Sequence, residues 1–387
     1  MIAGEPSGDV LGGRLMAALT ARSDNPITFI GVGGDRMLAQ GLECLFPMEE
    51  LSVMGYLEIV PKIPRLLALV REAADAARAL SPDAVITIDS PDFSFRVVAR
   101  LKGLGFPLIH YVAPQVWAHR PGRAAKVAGF LDHILALLPF EPPLFEAHGL
   151  PCTYVGHAIV EEGADAGDGP AFRRQHGIPD RAPLIVTLPG SRHGEVSRHL
   201  PIFGDTLERL AASRPGLRAV VPTVPAVFHE VTQATDQWPV ETRVVSGTEE
   251  KYNAFAAADA ALAASGTVSL ELAIAGVPAI VAYNTSWLTA WAAKRMMLVP
   301  YICLVNIILD QRAVPEFIQQ RCRADLLSEA LTSLLDDPQA RATQTDAGRR
   351  AVEILGLGGA APSDRAAEVV LGMIAEGDRK SAYTNLQ

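Results

Sequence analysis

The sequence predicts an α/β protein with two doubly wound domains that face each other across a cleft. Short β-branched runs alternate with helical patterns along the chain, which is typical of βαβ units and a parallel sheet. An acidic break of small residues interrupts this alternation at 161–170. Nearly every predicted strand runs into a glycine-rich or polar segment, and open parallel sheets bind ligands at that end of their strands.

The predicted strands form two groups, one on each side of the break. The first group is 29–32, 84–88, 108–112, 133–137 and 152–155. The second group is 184–188, 219–221, 260–263, 279–282 and 302–305. The break itself reads EEGADAGDGP and cannot pack into a core, so we interpret it as a linker. The predicted domains are therefore an N-terminal domain over 1–165, a C-terminal domain over 166–360, and a C-terminal helix and tail over 361–387.

The composition excludes several classes of protein. A chain of 387 residues, 49% hydrophobic and 20% charged, is typical of a folded enzyme with more than one core. A net charge of -9 with no basic tract argues against a nucleic-acid partner. The four cysteines are widely spaced, so we expect neither a disulfide framework nor a zinc site. The first residues lack the pattern of a signal peptide, and we expect a cytoplasmic protein.

A turn in the second half of the chain is a candidate for holding a diphosphate. The strand at 184–188 ends in Pro-Gly-Ser-Arg. Gly190 and Ser191 let backbone N–H groups approach a phosphate, and Arg192 can donate two parallel hydrogen bonds to it. The alternative is a plain strand–helix turn with a surface arginine, and four residues alone do not decide between them.

A second turn favours the functional interpretation. Ser265, Gly266 and Thr267 follow a predicted strand and open a predicted helix, whose first N–H groups and positive dipole end suit an anion. Glu271 lies further along that helix, where its carboxylate could bind the two ribose hydroxyls of a nucleotide. The alternative is a capped helix in which Glu271 pairs with a nearby base. Together the two turns predict a nucleotide diphosphate site in the C-terminal domain.

Two loops of the first half are candidates for the acceptor side. Asp89 follows a predicted strand and is a candidate general base that faces the cleft, although from the residues alone an Asx-turn or helix cap is the better explanation. The glycine loop at 3–9 lacks the full G-x-G-x-x-G spacing of a dinucleotide site. Its residues Ser7, Gly8 and Asp9 could line the phosphate of an acceptor substrate, or they could only turn the chain.

The stretch 51–70 is apolar with two embedded bases, Lys62 and Arg65. Such a patch suits docking on anionic lipid, and burial in the N-terminal core is the alternative. The chain also has no D-x-D pair, which enzymes that bind a diphosphate through a divalent metal normally need. We therefore expect no metal and no cofactor, with arginine and a helix N-terminus neutralising the leaving group.

These segments, in this order, resemble the lipid-A-disaccharide synthase family of inverting GT-B glycosyltransferases, whose two domains are Rossmann-like. The resemblance covers almost the whole chain through the following motifs: AGEPSGD (3–9), GVGGDRM (31–37), MEELSVMGYLEI (48–59), DSPDF (89–93), HYVAPQVWA (110–118), LALLPFEP (135–142), YVGH (154–157), LPGSR (188–192), ASGTVSLELA (264–273) and LVN (304–306). It departs from the family at His119, at Asn284 and in the loop 307–312.

The resemblance implies a specific reaction. A 2,3-diacylglucosamine unit passes from its UDP derivative to the 6-hydroxyl of 2,3-diacylglucosamine 1-phosphate, giving a β-1,6 disaccharide and UDP with inversion and without metal. It implies work at the cytoplasmic face of the inner membrane and a homodimer with a swapped C-terminus. The C-terminal helix would then pack back on the N-terminal domain or on the partner.

The resemblance also implies roles for particular residues. Asp89 becomes the general base, and Arg192 becomes the catalytic residue that holds the diphosphate together with the turn that begins at Ser265. Glu271 falls on the ribose and Asn306 near the nucleotide. The membrane-contacting surface falls on Leu57, Val60, Ile63, Leu66 and Leu67.

Two other functions remain open on the sequence. A UDP-N-acetylglucosamine 2-epimerase would share the two-domain plan and the nucleotide turn, but would need no lipid-facing patch. A non-catalytic nucleotide- or lipid-binding protein would bind UDP without turnover.

Overall fold

The computed structural model describes the backbone of residues 1–51 and 56–384, and their side chains except at 56–62, 288, 292–294 and 377–384. Over these residues the chain divides into two compact units. The first unit is Met1–Ala158 together with Gly358–Gln387, and the second is Ile159–Leu357. Each unit is built around its own parallel sheet.

The segment Met1–Ala158 alternates strands and helices. In chain order they are β1 (Ile2–Ala3), α1 (Pro6–Arg22), β2 (Phe29–Gly31), α2 (Asp35–Leu38), β3 (Leu42–Cys44), α3 (Tyr56–Leu80), β4 (Val85–Ile88), α4 (Pro91–Val98), β5 (Leu108–Tyr111), α5 (Arg123–Ala128), β6 (His133–Ala136), α6 (Pro142–Glu146) and β7 (Cys152–Tyr154).

The five-stranded sheet of the first unit is parallel in the order β1-β4-β5-β6-β7. Strands β2 and β3 form a small parallel pair, which joins the large sheet where Val32 bridges Ile2. Both faces of the large sheet are buried, because Val85 packs with the cluster around α3 and α4 while Ile86 packs with the cluster around α1. This burial explains why β4 is a continuous apolar run around a single threonine.

The second unit repeats the pattern with longer elements. In chain order they are α7 (Gly169–Gln175), β8 (Leu184–Leu188), α8 (His193–Ser213), β9 (Arg218–Thr223), α9 (Phe228–Thr235), β10 (Glu241–Ser246), α10 (Thr248–Ala257), β11 (Ala260–Ala263), α11 (Val268–Ile274), β12 (Ala279–Tyr283), α12 (Trp287–Met296), α13 (Leu304–Leu309), β13 (Glu316–Ile318), α14 (Ala324–Asp336) and α15 (Pro338–Ile354). Its six strands are parallel in the order β10-β9-β8-β11-β12-β13.

The last helix, α16 (Pro362–Thr384), belongs to the first unit although it follows the second in the chain. It packs on α1, and its Ala366 joins the core cluster on that face of the sheet. Arg22 of α1 binds two of its carboxylates, Asp364 at 3.1 Å and Glu368 at 2.8 Å. These pairs are largely exposed, so the apolar contact supplies most of the stabilisation.

One predicted strand is wrong. Residues 302–305 were expected to extend as a strand, but the chain turns into α13 at Leu304. The carboxylate of Glu316 accepts hydrogen bonds from the backbone N–H groups of Ile302 (3.1 Å) and Cys303 (2.7 Å), immediately before that helix. Glu316 itself starts β13, which pairs with β12 as the outermost strand of the sheet. A short apolar run does not distinguish a buried strand from a buried helix, and here local hydrogen bonds decided for the helix.

Candidate active site

In the first unit, Asp89 and Ser7 come together at the carboxyl ends of the neighbouring strands β4 and β1. Asp89 is half-buried, and the hydroxyl of Ser7 donates to its carboxylate at 3.3 Å. The backbone N–H of Ser90 donates to the other carboxylate oxygen at 2.8 Å. Asp89 and Ser90 have φ angles of 51° and 45°, a left-handed conformation that costs of order 1–3 kcal/mol per residue. The fold therefore holds this carboxylate in a strained turn at the sheet edge.

The glycine loop lies directly against that turn. A Cβ on Gly4 would come within 2.6 Å of the Ser90 hydroxyl, and one on Gly8 within 3.2 Å of the carbonyl oxygen of Ile88. The Ser90 hydroxyl also donates to the carboxylate of Glu5 at 3.3 Å. Only a small residue at position 4 lets the two loops approach this closely.

Asp9 orders the neighbouring turn. It is buried, and its carboxylate accepts hydrogen bonds from the backbone N–H groups of Gly34 (2.8 Å), Arg36 (2.9 Å) and Met37 (3.0 Å). These are the orphan donors at the start of α2, which a carboxylate stabilises. Asp9 was expected to line a substrate phosphate, whereas the structure uses its carboxylate inside the fold. Ser7 remains exposed beside Asp89.

In the second unit, a cavity of about 690 Å³ opens at the carboxyl ends of β8, β9 and β11. Both candidate turns line it. The residues of the predicted donor site that line the cavity are Gly190, Ser191, Arg192, Ser265, Gly266, Thr267 and Glu271. Two turns that lie far apart in the chain, both predicted from the sequence to bind a diphosphate, therefore line the same cavity.

Arg192 immediately precedes α8, at the end of the first turn. Its side chain is 81% exposed, and its guanidinium lies 3.4 Å from the carboxylate of Glu195. Gly190 has a φ of 120°, and a Cβ there would meet Glu195 at 2.9 Å, so the turn requires glycine. The guanidinium is therefore accessible to an anion in the cavity. In the described part of the chain, Glu195 is its only ion-pair partner.

A side-chain hydrogen bond holds the second turn in place. The hydroxyl of Ser265 donates to the carbonyl oxygen of Ile302 at 2.9 Å. Gly266 has a φ of 158°, and a Cβ there would point into open space. Helix α11 begins directly after Thr267, so its first N–H groups lie beside the cavity.

Glu271 and Lys251 form an ion pair in the cavity wall. Glu271 is buried, and the Lys251 ammonium donates to it at 2.8 Å. Burial raises the pKa of the Glu271 carboxyl, and the charge of Lys251 opposes that shift. The pairing of Glu271 with a nearby base is the alternative that the sequence left open. Nothing in the sequence singles out Lys251 as that base, because it stands in the charged run Glu249-Glu250-Lys251, which is typical of an exposed helix face.

Asn306 does not line the cavity. It is fully buried, and its amide donates to the carbonyl oxygen of Val314 (2.8 Å) and the carboxylate of Glu316 (3.0 Å). Its carbonyl oxygen accepts from the backbone N–H groups of Ala313 (2.9 Å) and Val314 (2.8 Å). The side chain therefore orders the loop between α13 and β13, where the resemblance implied a place near the nucleotide.

The predicted membrane-contacting residues lie on and around α3. Ile63 is 43% exposed, and Leu66 and Leu67 are half-buried. The side chains of Leu57 and Val60 lie outside the described residues. Arg65, one of the two bases of this stretch, makes a bidentate pair with Glu50 at 2.6 and 2.9 Å.

The described residues contain no cluster of three or more histidine, cysteine, aspartate or glutamate side chains that could hold a metal ion. No helix in the same part of the chain is both long and apolar enough to cross a membrane.

Three solved structures share the fold of this chain. The chain superposes on a UDP-N-acetylglucosamine 2-epimerase from Neisseria meningitidis with a TM-score of 0.59 and 13% identity, over 90% of this chain and 97% of that one. For MurG of Acinetobacter baumannii the TM-score is 0.57 at 15% identity, over 94% and 96%. For WaaG, a glycosyltransferase involved in lipopolysaccharide biosynthesis, it is 0.56 at 14%, over 93% and 94%. These likenesses establish the GT-B fold.

Comparison of sequences is more specific. The chain is 55% identical to a lipid-A-disaccharide synthase of Rhodospirillum centenum, over 97% of this chain and 94% of that protein. It is 50% identical to one from Paramagnetospirillum magneticum, over 97% of both. The model of the lipid-A-disaccharide synthetase family matches residues 1–369. The chain therefore belongs to the lipid-A-disaccharide synthetase family.

Proposed function

We propose that the protein transfers 2,3-diacylglucosamine from its UDP derivative to the 6-hydroxyl of 2,3-diacylglucosamine 1-phosphate. The products are a β-1,6 disaccharide and UDP, with inversion at the anomeric carbon. Membership of the family makes the chain a glycosyltransferase of lipid A disaccharide synthesis. The observation that carries the finer proposal is the cavity of the second unit, where both predicted diphosphate turns and Glu271 meet.

The chemistry of this cavity fits a nucleoside diphosphate. Arg192 supplies an exposed guanidinium, which binds phosphate oxygens through two parallel hydrogen bonds. The turn from Ser265 to Val268 supplies backbone N–H donors at the neighbouring strand end, whereas the next N–H groups of α11, those of Ser269 and Leu270, already bond to Gly266 and Thr267. Glu271 offers carboxylate oxygens to ribose hydroxyls, and Lys251 holds that carboxylate in place at 2.8 Å. The cavity volume of about 690 Å³ is typical of a small-molecule site.

Asp89 is the proposed general base. Its half-buried carboxylate is oriented by the Ser90 N–H and the Ser7 hydroxyl, and Ser7 is exposed. As the acceptor hydroxyl attacks the anomeric carbon, Asp89 takes its proton and the bond from that carbon to the UDP oxygen breaks. The displacement inverts the anomeric centre.

We propose that the reaction needs no metal. Negative charge grows on the departing UDP, and Arg192 with the backbone donors of the second turn stabilises it. The exposed position of Arg192 beside these donors supports this assignment.

Two partners are proposed on the resemblance and on the apolar stretch of α3. Ile63 is exposed there, and we propose that this stretch contacts the cytoplasmic face of the inner membrane, where acylated substrates reside. The second proposed partner is another copy of the chain, and this homodimer is proposed from the resemblance alone.

The decisive experiment supplies both diacylated substrates to the purified protein with a chelator and no added metal. Mass spectrometry should detect the disaccharide and UDP in equal amounts. A changed sugar formed from UDP-N-acetylglucosamine alone would instead indicate an epimerase. Binding of UDP with no product from either substrate set would indicate a non-catalytic protein.

A further inference from the structure

The second unit carries an exposed apolar patch that the proposed reaction does not use. It consists of Trp287, Trp291, Met296, Met297 and Leu298, and we call it the tryptophan patch. Trp287 is 78% exposed and Trp291 is 56% exposed. The other large apolar side chains that are exposed in the described part of the second unit, at 224, 228 and 354, lie well apart from this run in sequence. Clustered exposed apolar residues mark interaction sites, whereas single ones need no explanation.

Helical geometry places the two tryptophans together. Trp287 and Trp291 are four residues apart in α12, so they lie on one face of that helix. Arg295 is the next residue on that face, and its guanidinium lies over the Trp291 ring at 5.3 Å. The face therefore presents indole rings beside a cation, a combination suited to the boundary between lipid headgroups and acyl chains.

The charge of the surrounding segment points to an anionic partner. The chain has a net charge of -9, yet residues 284–309 contain no aspartate or glutamate. The same segment contains two consecutive bases, Lys294 and Arg295. This 26-residue segment has no acidic residue, and its bases stand next to the exposed tryptophans in the sequence. It can therefore approach a negatively charged surface without electrostatic repulsion, although the protein as a whole is acidic.

We propose that the tryptophan patch is a second membrane contact, in which α12 lies on an anionic lipid bilayer with its indole rings at the headgroup level. The proposal rests on the proposed function, because a surface-bound enzyme has its acylated substrates within the same bilayer. It concerns a surface in the second unit, separate in sequence from the apolar stretch of α3.

Brominated lipids test the contact at the residues themselves. The chain has four tryptophans, so a Trp287→Phe/Trp291→Phe variant keeps only Trp117 and Trp238 as indole fluorophores. Vesicles of phosphatidylcholine and phosphatidylglycerol with brominated acyl chains should quench the wild-type fluorescence. They should quench the double variant much less, although its phenylalanines still allow binding. Equal quenching of both proteins, or of neither, would overturn the proposal.

Vesicle flotation measures the contribution of the patch to binding. Trp287→Ser/Trp291→Ser should weaken binding to anionic vesicles by roughly tenfold or more, because apolar surface no longer leaves water. Arg295→Gln should weaken it about fivefold, as expected for one base near an anionic surface. Phe228→Ser, which alters another exposed aromatic of the second unit, is the matched control and should leave binding unchanged.

The activity assay separates this proposal from the proposed function. With substrates dispersed in detergent, Trp287→Ser/Trp291→Ser should turn over at the wild-type rate, and with substrates in vesicles it should be slower. No activity of the wild type in either format would contradict the proposed function alone. If the serine variant instead lowers the oligomeric state in lipid-free buffer and binds vesicles normally, the patch contacts a second copy of the chain and the lipid proposal fails.

Discussion

The backbone N–H of Asn284 donates a hydrogen bond to Nε2 of His199 at 2.9 Å, in the interior of the second unit. This bond makes Nε2 an acceptor, so the ring hydrogen resides on Nδ1, which donates to the carbonyl oxygen of Pro189 at 2.7 Å. Burial lowers the pKa of His199, which favours this neutral form. The ring therefore connects the turn that carries Arg192 to the segment that follows β12.

Replacing His199 should loosen the diphosphate turn. In His199→Leu the buried carbonyl oxygen of Pro189 and the half-buried N–H of Asn284 lose their partner, at about 1–3 kcal/mol for the buried group. We expect the KM for the UDP-sugar to rise roughly tenfold, with a smaller change in kcat, because the turn is displaced while Asp89 is untouched. His199→Gln, which keeps a donor and an acceptor, should recover part of the affinity. Exposed His229 provides the control substitution, and equal KM values for His199→Leu and His229→Leu would refute the connection.

Acid should destabilise the protein below pH 6.5. Burial lowers the pKa of His110 to about 3 and that of His157 to about 4, from an ordinary 6.5. As the pH falls through 6.5 the unfolded chain binds these protons first, so the free energy of unfolding falls with pH, by about 1.4 kcal/mol per histidine per pH unit. The Glu141 carboxyl, whose pKa burial raises to about 7, acts in the opposite direction between pH 4.5 and 7.

Comparison with a variant isolates the histidine contribution. Chemical denaturation at pH 6.5 and 5.5 should show a shallower loss of stability for His110→Gln than for the wild type. His229→Gln, at an exposed site, should follow the wild type. If the free energy of unfolding changed equally with pH in all three proteins, the pKa of His110 would be the same in the folded and the unfolded chain.

Asp89→Asn should slow turnover strongly while the fold persists. An amide keeps the size of the side chain and its place in the strained turn but cannot accept the proton, so kcat should fall by about 10²–10⁴. Asp92, whose side chain is 97% exposed, is the matched control, and Asp92→Asn should retain near-normal kcat. Circular dichroism checks that both variants are folded. Near-normal turnover in Asp89→Asn would exclude it as the base.

Replacing Glu271 should weaken recognition of the ribose of the nucleotide. If its carboxylate binds the ribose hydroxyls, the wild type should bind UDP more tightly than 2′-deoxy-UDP, by about tenfold for a hydrogen bond to a charged group. Glu271→Gln should lose most of this preference in isothermal titration. A preference that survives the substitution would assign the ribose to another residue.

Replacing Arg192 should weaken binding of the diphosphate. Its side chain is 81% exposed, so Arg192→Ala should leave the melting temperature unchanged. The variant should bind UDP roughly tenfold more weakly, while uridine, which has no phosphate, should bind equally to both proteins. Arg209, an exposed arginine of α8, is the control for loss of charge. A matching loss in Arg209→Ala would mean that only the net charge matters.

Local patterns predicted most of the fold for a physical reason. The strands β8 and β11 were located to the residue, because both are buried on two faces and end at small-residue turns. The strands β1, β3, β10 and β13 were missed, and β1 is only two residues long. They are edge strands, and β3 and β10 expose much of their surface, so their sequences lack a continuous apolar run.

The candidate site was predictable where residue type and turn chemistry coincide. Arg192 and Glu271 could be placed together because parallel strands send their carboxyl ends to one edge. Lys251 and His199 could not, since a lysine in a charged run and a histidine in an amphipathic helix carry no local signal of what they contact. For Asn306 the resemblance suggested a nucleotide, whereas the packing gave its amide four backbone and side-chain partners.

The sequence by itself determined the alternation of strands and helices, the two glycine turns of the donor site, the acidic turn at Asp89 and the family. These properties depend on short-range steric and hydrogen-bonding preferences, which neighbouring residues express directly. Only the tertiary structure decided that Asp9 binds the start of α2, that Lys251 pairs with Glu271, and that the tryptophans of α12 remain exposed. Each of these depends on burial and on partners distant in the chain, and no local pattern of residues encodes them.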